Sequence, residues 1–383
     1  MNILEEIQNC SVEWKELGEV VDTVTSPVKL TKKEYQVTGR IPIVDQGEQF
    51  VAGYADNEKY LEKDEYIIFG DHSEHVKYVD FAFVQGADGL KILKPKSGIK
   101  AKYIYYCFCN FYKKEGSYKR HWSKARTTQI PIPQSEELQE KIVQTLDKFT
   151  DYVTELTSEL TSRKKQYSYY RDKLLSFEDE VYQVEWKRLS ECLKKGKGTK
   201  ITASQMKLLH KDGAPIRIFA GGKTYADVNY GDIPDKDIHT EEAIVVKSRG
   251  IIDFEYCTKP FSFKNEFWSY SSDNEKINLR YIYHYLVHNK EHFQNIANNM
   301  QMPQISSNDT EKFKIPVPSL EIQSRIVQVL DNFDTVCHDL NIGLPKEIEL
   351  RQKQYEFFRE KLLTFTAEGV YPDSGQWHGC NPT

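Results

Sequence analysis

Two long stretches of the chain carry apolar residues at spacings that alternate between four and three. This spacing places the marked residues on one face of an α-helix and is typical of coiled-coil helices. The first stripe contains Ile142, Leu146, Phe149, Val153, Leu156, Leu160, Arg163, Tyr167, Tyr170 and Leu174, with Arg163 its one charged member. The second stripe contains Ile326, Leu330, Phe333, Cys337, Leu340, Leu344, Ile348, Arg351, Tyr355, Phe358 and Leu362. The pattern predicts two helices of about 40 residues each.

The second stripe is interrupted near its middle. An extra step of four, from Leu344 to Ile348, acts as a coiled-coil stutter and preserves the apolar face. Gly343 and Pro345 lie at the same place. Because proline disrupts a helix interior but fits a first turn, we expect the second helix to break or kink here, with Pro345 opening a new segment.

The residues before each stripe have strand character. Runs rich in β-branched and aromatic residues, separated by Gly, Asp and Asn turns, cover 39–44, 66–70 and 81–84 in the first region and 215–219 and 243–247 in the second. A helix is expected near 101–114 in the first region and near 279–299 in the second. Both regions therefore predict α+β domains with mostly antiparallel strands plus helices.

The chain also repeats itself, which makes the two halves versions of one plan. Glu13-Trp14-Lys15 recurs as Glu185-Trp186-Lys187, Ile130-Pro131-Ile132-Pro133 recurs as Ile315-Pro316-Val317-Pro318, and Leu146-Asp147-Lys148-Phe149 recurs as Leu330-Asp331-Asn332-Phe333. We predict a first globular domain at 1–133, a helical spacer at 134–180, a second globular domain at 181–318, a second spacer at 319–366 and a tail at 367–383.

Each apolar stripe is too long to face water alone, so we expect the two stripes to pack together as an antiparallel coiled coil within the chain. This pairing would put the two domains at opposite ends of a spacer, and about 40 helical residues span roughly 60 Å. The alternative is that these are ordinary amphipathic helices, each inside its own domain.

Composition narrows the class of protein. The 383 residues contain no apolar run that could cross a bilayer, and the start of the chain lacks a signal-peptide pattern, so we expect a cytoplasmic protein. Seven scattered cysteines without a CxxC pair indicate neither disulfides nor a zinc site. The net charge of -5 fits a DNA-binding protein only if basic residues are concentrated in part of the chain. They are concentrated between Lys113 and Arg126, where six basic residues stand with a single acidic one, Glu115.

Three places in each domain have side chains suited to DNA. Basic turns near the domain start supply phosphate contacts, the turn after a central strand presents hydrogen-bonding side chains, and the segment after the domain helix carries bases or amides. In the first domain the candidates are Lys29, Lys32, Lys33, His72, Ser73, Tyr118, Lys119, Arg120, His121, Lys124 and Arg126. In the second they are Lys195, Lys197, Lys200, Lys223, Lys247, Ser248, Arg249, Asn299, Gln301 and Gln304. The alternative is that these charge runs are merely solvated.

No catalytic motif is complete. Gly222-Lys223-Thr224 resembles the end of a phosphate loop, but Arg217 stands where its first glycine is needed. Neither an amino-methyltransferase tetrapeptide nor a nuclease carboxylate set is present, and no metal site is expected. We therefore predict a chain without catalytic residues of its own.

These residues resemble the specificity (S) subunits of type I restriction-modification enzymes. The likeness rests on the openings at Trp14 and Trp186, the closures at Pro131 and Pro316, and the spacer sequences 163–167, 171–175, 351–355 and 359–363. It implies two target-recognition domains that each read half of a bipartite site in double-stranded DNA of a bacterial or archaeal cell. It also implies assembly with two methylation subunits, which bind S-adenosylmethionine, and optionally with two restriction subunits, which use ATP and Mg²⁺. The rival interpretations are a coiled-coil scaffold that binds no DNA and a stand-alone nuclease.

Overall fold

The structure, a computed structural model, describes residues 3–177, 184–298 and 302–365. The chain divides into two units, Met1–Glu159 with Lys346–Thr383, and Leu160–Pro345. One long helix, Glu136–Ser176, begins in the first unit and ends in the second. Among the described residues, no helix combines the length and apolar character needed to span a membrane.

The first unit is built from two four-stranded sheets and a flanking strand pair. Its elements are α1 (Ile3–Gln8), β1 (Val12–Glu16), α2 (Leu17–Val20), β2 (Val21–Val24), β3 (Lys29–Leu30), β4 (Ile41–Val44), β5 (Gly53–Ala55), β6 (Tyr66–Gly70), β7 (Val76–Val79), β8 (Val84–Gly86), β9 (Leu90–Pro95), α3 (Ala101–Phe111), α4 (Trp122–Ala125), β10 (Gln129–Pro133) and the start of α5 (Glu136–Ser176). The sheet orders are β2-β9-β6-β7 and β3-β8-β4-β5, and β1 pairs with β10.

The second unit repeats this order. Its elements are β11 (Glu185–Arg188), α6 (Leu189–Cys192), β12 (Lys194–Lys197), α7 (Ala203–Leu209), β13 (Ile216–Phe219), β14 (Tyr225–Val228), β15 (Ala243–Lys247), β16 (Asp253–Cys257), β17 (Phe261–Phe263), β18 (Trp268–Ser271), α8 (Leu279–His288), α9 (Lys290–Ala297), α10 (Ser307–Glu311), β19 (Lys314–Val317) and α11 (Leu320–His338); α12 (Leu344–Thr364) returns to the first unit. The orders β12-β18-β15-β16, β14-β13-β17 and β11-β19 match those of the first unit except at β3, where the second unit has instead an isolated parallel bridge between Thr199 and Lys264.

The predicted α+β class with mostly antiparallel strands is confirmed, and the local differences have simple causes. The parallel pairs described are β3 with β8, β4 with β8, and β13 with β17. The run predicted at 81–84 becomes a strand only from Val84. The single helix predicted near 279–299 is two helices, because Asn289 leaves helical geometry between α8 and α9.

Within each unit, α5 packs against a helix of the second stripe. In the first unit, Phe149 of α5 stacks on Phe358 of α12, with ring centroids 5.1 Å apart. In the second unit, Tyr170 contacts Phe333 of α11, while the earlier residue Tyr167 contacts both Phe333 and the later His338, so the two helices run in opposite directions. The predicted seam is thus present in each unit, while the placement of the two domains relative to one another stays a prediction.

The ends of the stripes also belong to the domain cores. Ile142 and Leu146 are fully buried in the first core together with Leu362, and Ile326 and Leu330 belong to the second core. The two interpretations of the stripes were therefore not exclusive: the same helices form a seam and complete the cores.

The second spacer is two helices, as the proline predicted. α11 ends at His338, and α12 begins at Leu344 with Pro345 in its first turn, where a missing N–H costs nothing. Gly343 permits the sharp return, since a Cβ there would lie 2.4 Å from the carbonyl oxygen of Thr335. The assignment of Leu340 to the seam is wrong, because it lies in this connection and is 71% exposed.

A repeated set of buried hydrogen bonds explains the Ile-Pro-x-Pro sequences. The Tyr103 hydroxyl donates to the carbonyl of Pro131 at 2.6 Å, and Tyr281 donates to that of Pro316 at 2.8 Å. Because proline lacks an N–H but keeps its carbonyl, that carbonyl can still accept from the tyrosine and fasten each domain helix to the strand that leads into its spacer.

A buried glutamine in each spacer completes this joint. Gln323 is fully buried; its Oε1 accepts from the N–H of Asn278, and its Nε2 donates to the carbonyls of Lys276 and Pro318. Gln139 makes the same three contacts, with the N–H of Lys100 and the carbonyls of Gly98 and Pro133. The domain and the start of its spacer are therefore one rigid joint in each unit.

Candidate nucleic-acid interface

Two buried carboxylates hold the basic segment of the first unit, residues 113–126, against the turn that follows β6. Asp71 Oδ1 accepts from the N–H groups of His121 and Trp122 at 2.9 and 2.8 Å. Glu74, only 2% exposed, accepts from the Tyr112 hydroxyl at 2.6 Å and from the Gly116 N–H at 2.8 Å. The structure thus brings together the second and third of the predicted DNA-contact places.

The ionisation of Glu74 suits this anchoring role. Burial by itself raises the pKa of its carboxyl, but hydrogen bonds from Tyr112 and from the N–H groups of Glu115 and Gly116 lower it, and the resulting pKa lies below the ordinary value. Its backbone has φ of 57°, a left-handed conformation that a non-glycine residue adopts at a cost. The fold therefore holds an ionised carboxylate under the basic segment.

The basic segment has a large surplus of exposed positive charge. Glu115 pairs with both Lys119 and Lys124, and hydrogen bonds from these two lysines lower its pKa to about 2. Among the described residues, four further exposed cations of the segment have no ion-pair partner: Lys113, Lys114, Arg120 and Arg126. Such a surplus on one short segment is what phosphate binding requires.

Aromatic residues interleave with these cations. The ring of Tyr118, which is 88% exposed, stacks on His72 with centroids 5.2 Å apart. The His72 N–H donates to the side chain of Gln46, and the Ser73 hydroxyl donates to the Gln46 carbonyl. Tyr118 is thus a supported, solvent-facing ring, whereas the Ser73 hydroxyl is engaged inside the turn.

The first predicted place adjoins the other two in this unit. Lys29 Nζ lies 3.6 Å from Asp88 Oδ1, and the next residue, Gly89, accepts from the N–H of Asp71 at 2.6 Å. Gln46 also donates to the carbonyl of Asp88. Lys32 and Lys33 are exposed in the short 3-10 turn that follows β3. The first place therefore adjoins the other two, and we treat the three together as one candidate face.

The second unit builds the corresponding face from other residues. The exposed Arg249 forms an isolated bridge with Gln304, the Gly250 N–H donates to the carbonyl of Pro303, and the Ile305 N–H donates to that of Ser248. Gln294 donates to the Gly250 carbonyl and so fixes the turn from the opposite side. The turn after β15 and the segment from 302 onward are thus joined, as in the first unit.

The lysine-rich turns of the second unit lie beside that face. Lys247 Nζ donates to the carbonyl of Gly222, which places the exposed Lys223 next to β15. Thr199, between the exposed Lys197 and Lys200, bridges to Lys264 near the end of β17. Lys195 instead pairs with Glu311 at 2.6 Å, so part of its charge is already neutralised.

Four of the predicted contacts need correction. Lys247, Ser248 and His121 are 3%, 2% and 1% exposed, and their polar atoms bond to Glu255, the Glu266 carbonyl and the Ser117 carbonyl. Ser73 is engaged by Gln46. Because these groups shape the turns from within, they do not reach a duplex in this conformation, and we leave them out of the interface. Asn299 and Gln301 lie outside the described residues.

Sequence reasoning missed the residues that support the face. Glu74 gave no signal, because it lies 42 residues before Gly116 in the sequence and nothing in its own neighbourhood connects it to the basic segment. A second feature that the sequence did not reveal is the ion pair between β13 and β14, where the Arg217 guanidinium forms two hydrogen bonds to Asp227 and lies 4.1 Å from the Tyr225 ring centroid. An arginine and an aspartate on neighbouring strands were the available clue.

One cluster has the composition of a metal site but a structural explanation. His284, Asp331 and Asp334 hold possible ligand atoms within 4.8 Å of one another. Asp331 accepts from His284 at 2.7 Å and from Arg280 at 2.9 Å. The first unit has the same arrangement without a histidine, since Asp147 accepts from Tyr106 and Lys102. We therefore attribute the cluster to packing of the domain helix on its spacer.

Comparisons with known proteins agree with this architecture. The type I restriction modification DNA specificity domain matches residues 11–163 and again residues 183–350. The specificity subunit of the Escherichia coli type I restriction enzyme EcoR124I/EcoR124II is 34% identical over 402 residues, covering 95% of this chain and 97% of that protein. A crystal structure of a type I restriction-modification S subunit from M. genitalium has the same fold, with a TM-score of 0.64 at 17% identity over 93% of this chain and 96% of that one.

The duplicated domain match falls on the two halves that the repeat defines, and the E. coli relative aligns along nearly the whole length. The resemblance drawn from the sequence is thereby confirmed: the chain belongs to the family of type I restriction-modification DNA specificity subunits.

Proposed function

We propose that each unit reads one half of a bipartite DNA site and that the chain presents this site to methylation subunits docked on it. The observation that carries the proposal is that the two units share the strand order of their sheets apart from β3, and that each brings three candidate contact places next to one another with different residues. A common scaffold with unlike faces is what two different half-sites require.

The chemistry of the two faces supports different readouts. The first offers unpaired cations and a supported ring, which suit phosphate contacts together with stacking or groove contacts. The second presents Arg249, whose guanidinium fits the two acceptors of guanine, beside Gln304, whose amide fits adenine. Lys197, Lys200 and Lys223 would then position this face on the backbone.

As a specificity subunit, the chain is non-catalytic, and the catalytic activities of type I systems lie in other subunits. We propose that two methylation subunits supply S-adenosylmethionine chemistry and that two restriction subunits supply ATP- and Mg²⁺-dependent chemistry. The complex would act in the cytoplasm, where bacterial or archaeal DNA is accessible.

Salt-dependent binding of the assembled complex to mixed-sequence duplex tests this proposal. We expect retention at about 50 mM salt and a steep linear fall of log affinity with log salt concentration, since lysines and arginines displace condensed counterions. No retention at low salt would favour a scaffold that binds only proteins. Cleavage of DNA by the purified chain with Mg²⁺ would instead revive the nuclease interpretation.

A further inference from the structure

A half-exposed tryptophan occupies the same position in both units. Trp14 of β1 is 47% exposed and Trp186 of β11 is 52% exposed. Each lies directly opposite a buried proline on the paired strand, Trp14 opposite Pro131 and Trp186 opposite Pro316. An indole and a proline that face each other across two strands form an apolar platform, here called the Trp-Pro platform.

The charged residues beside each tryptophan are repeated as well. Lys15 pairs with Glu13 at 2.9 Å, and Lys187 pairs with Glu185 at 2.7 Å. Because successive side chains of a strand point to opposite faces, these ion pairs lie on the face away from the indole. Their charges cancel within each pair, so they offer a phosphate backbone no net positive charge. A half-exposed indole beside a proline is instead the kind of aromatic anchor found at the centre of protein-protein contacts.

Packing within the chain does not explain why the tryptophan recurs. Leu17 and Leu189, three residues after each tryptophan, are fully buried, so the core accounts for their repetition. In the first unit, Trp14 also contacts Phe111 edge-on at 5.4 Å. Tyr103 and Tyr281 occupy the same position in the two units, and Phe111 follows Tyr103 by eight residues. The residue eight positions after Tyr281 is Asn289, so the second unit has no phenylalanine at this position although it keeps the exposed indole.

DNA reading does not explain it either, because the two recognition faces differ and an identical feature carries no information that separates two half-sites. We infer that the Trp-Pro platforms are two equivalent docking sites for two copies of one partner subunit, each copy placing an apolar pocket over the indole. This inference rests on the proposed function and identifies the occupant as the methylation subunit.

In the first unit the platform adjoins the proposed DNA face. A groove of about 410 Å³ beside Trp14 is lined in part by Lys113 and Lys124, which belong to the basic segment. A subunit seated on Trp14 would therefore lie next to the bound duplex, where a base-modifying partner has to be.

Native mass spectrometry of the full chain co-expressed with the methylation subunit tests the inference. The unaltered chain should carry two copies, Trp14→Ala and Trp186→Ala one copy each, and the double variant none. Because a central interface tryptophan dominates binding, affinity at the altered platform should fall at least about 30-fold. Tyr230→Ala is the matched control, since this tyrosine is 59% exposed and lies outside the repeated sequences; it should keep two copies.

Two copies on both single variants would overturn the inference while leaving the proposed function standing. No copies on the unaltered chain would instead overturn the proposed function. Hydroxyl-radical footprinting covers the case in which an alanine variant fails to fold: assembly of the unaltered complex should protect both indoles several-fold and leave Tyr230 unchanged. Indoles that oxidise equally fast in the free chain and in the complex would refute the docking sites.

Discussion

The Glu74→Gln variant tests how the basic segment, residues 113–126, is held in place, without changing the charges of the segment itself. Glu74 is not exposed to DNA, yet its two carboxylate oxygens accept from the Tyr112 hydroxyl, the Glu115 N–H and the Gly116 N–H. A glutamine of nearly the same shape keeps one oxygen and places an NH₂ group where the Gly116 N–H now donates. The substitution therefore removes one charge-assisted hydrogen bond and sets two donors against each other.

The expected loss of free energy follows from the number of hydrogen bonds that Glu74→Gln removes. A hydrogen bond to a charged group is worth about 1.5–3 kcal/mol, and the Gly116 N–H is left without its acceptor, so we expect the segment to be held about 2–3 kcal/mol less tightly. In hydrogen exchange this corresponds to roughly 30- to 150-fold less protection at the amides of Glu115 and Gly116. The DNA affinity of the assembled complex should fall as well, because binding must then order a loose segment.

Glu115→Gln is the matched control, since it removes a neighbouring acid that is exposed and pairs with two lysines. It should leave protection nearly unchanged and tighten DNA binding, with a steeper salt dependence, because Lys119 and Lys124 lose their competitor. Unchanged exchange in Glu74→Gln, or equal DNA affinity in both variants, would refute the anchoring argument.

Three further predictions follow from the same contacts. The folded chain lowers the pKa of Glu74, so the carboxylate stabilises the segment above the ordinary pKa of 4.5, and this stabilisation is lost as pH falls through the folded-state pKa. Hydrogen-exchange protection of residues 115–116 should therefore be constant above about pH 5 and decline below it. The Glu74→Gln variant should show no such decline. Arg126→Ala and Arg249→Ala should each weaken site-specific methylation by about 1–3 kcal/mol while leaving assembly intact; unchanged methylation in both would show that these turns do not contact DNA. Gln323→Leu should lower the free energy of unfolding by at least about 3 kcal/mol in denaturant titration, because three buried groups lose their partner, whereas Gln328→Leu at an exposed position of α11 should have little effect.

The spacers were predictable because helical periodicity is a local property of the sequence. The four-three spacing located α5, and Pro345 located the break before α12, since both depend on residues a turn or two apart. Leu340 fitted the spacing but not the seam, because the loop that Gly343 allows removes it from the helix.

The candidate interface was predictable only by residue type. The sequence located the charge surplus between 113 and 126 but not its attachment, because Asp71 and Glu74 reach that segment across about 40 to 50 residues of chain. Lys247 was predicted as a DNA contact because a lysine at the end of a strand is usually exposed. Its burial results from contacts with Gly222 and Glu255, and sequence spacing does not reveal these contacts.

The central claim is that each unit reads its own half-site, and methylation of a randomised duplex library by the assembled complex tests it most directly. Sequencing the modified duplexes should yield two specified blocks separated by a gap of fixed length, with Arg126→Ala relaxing only one block and Arg249→Ala only the other. A single continuous block, or one block altered by both variants, would contradict the account.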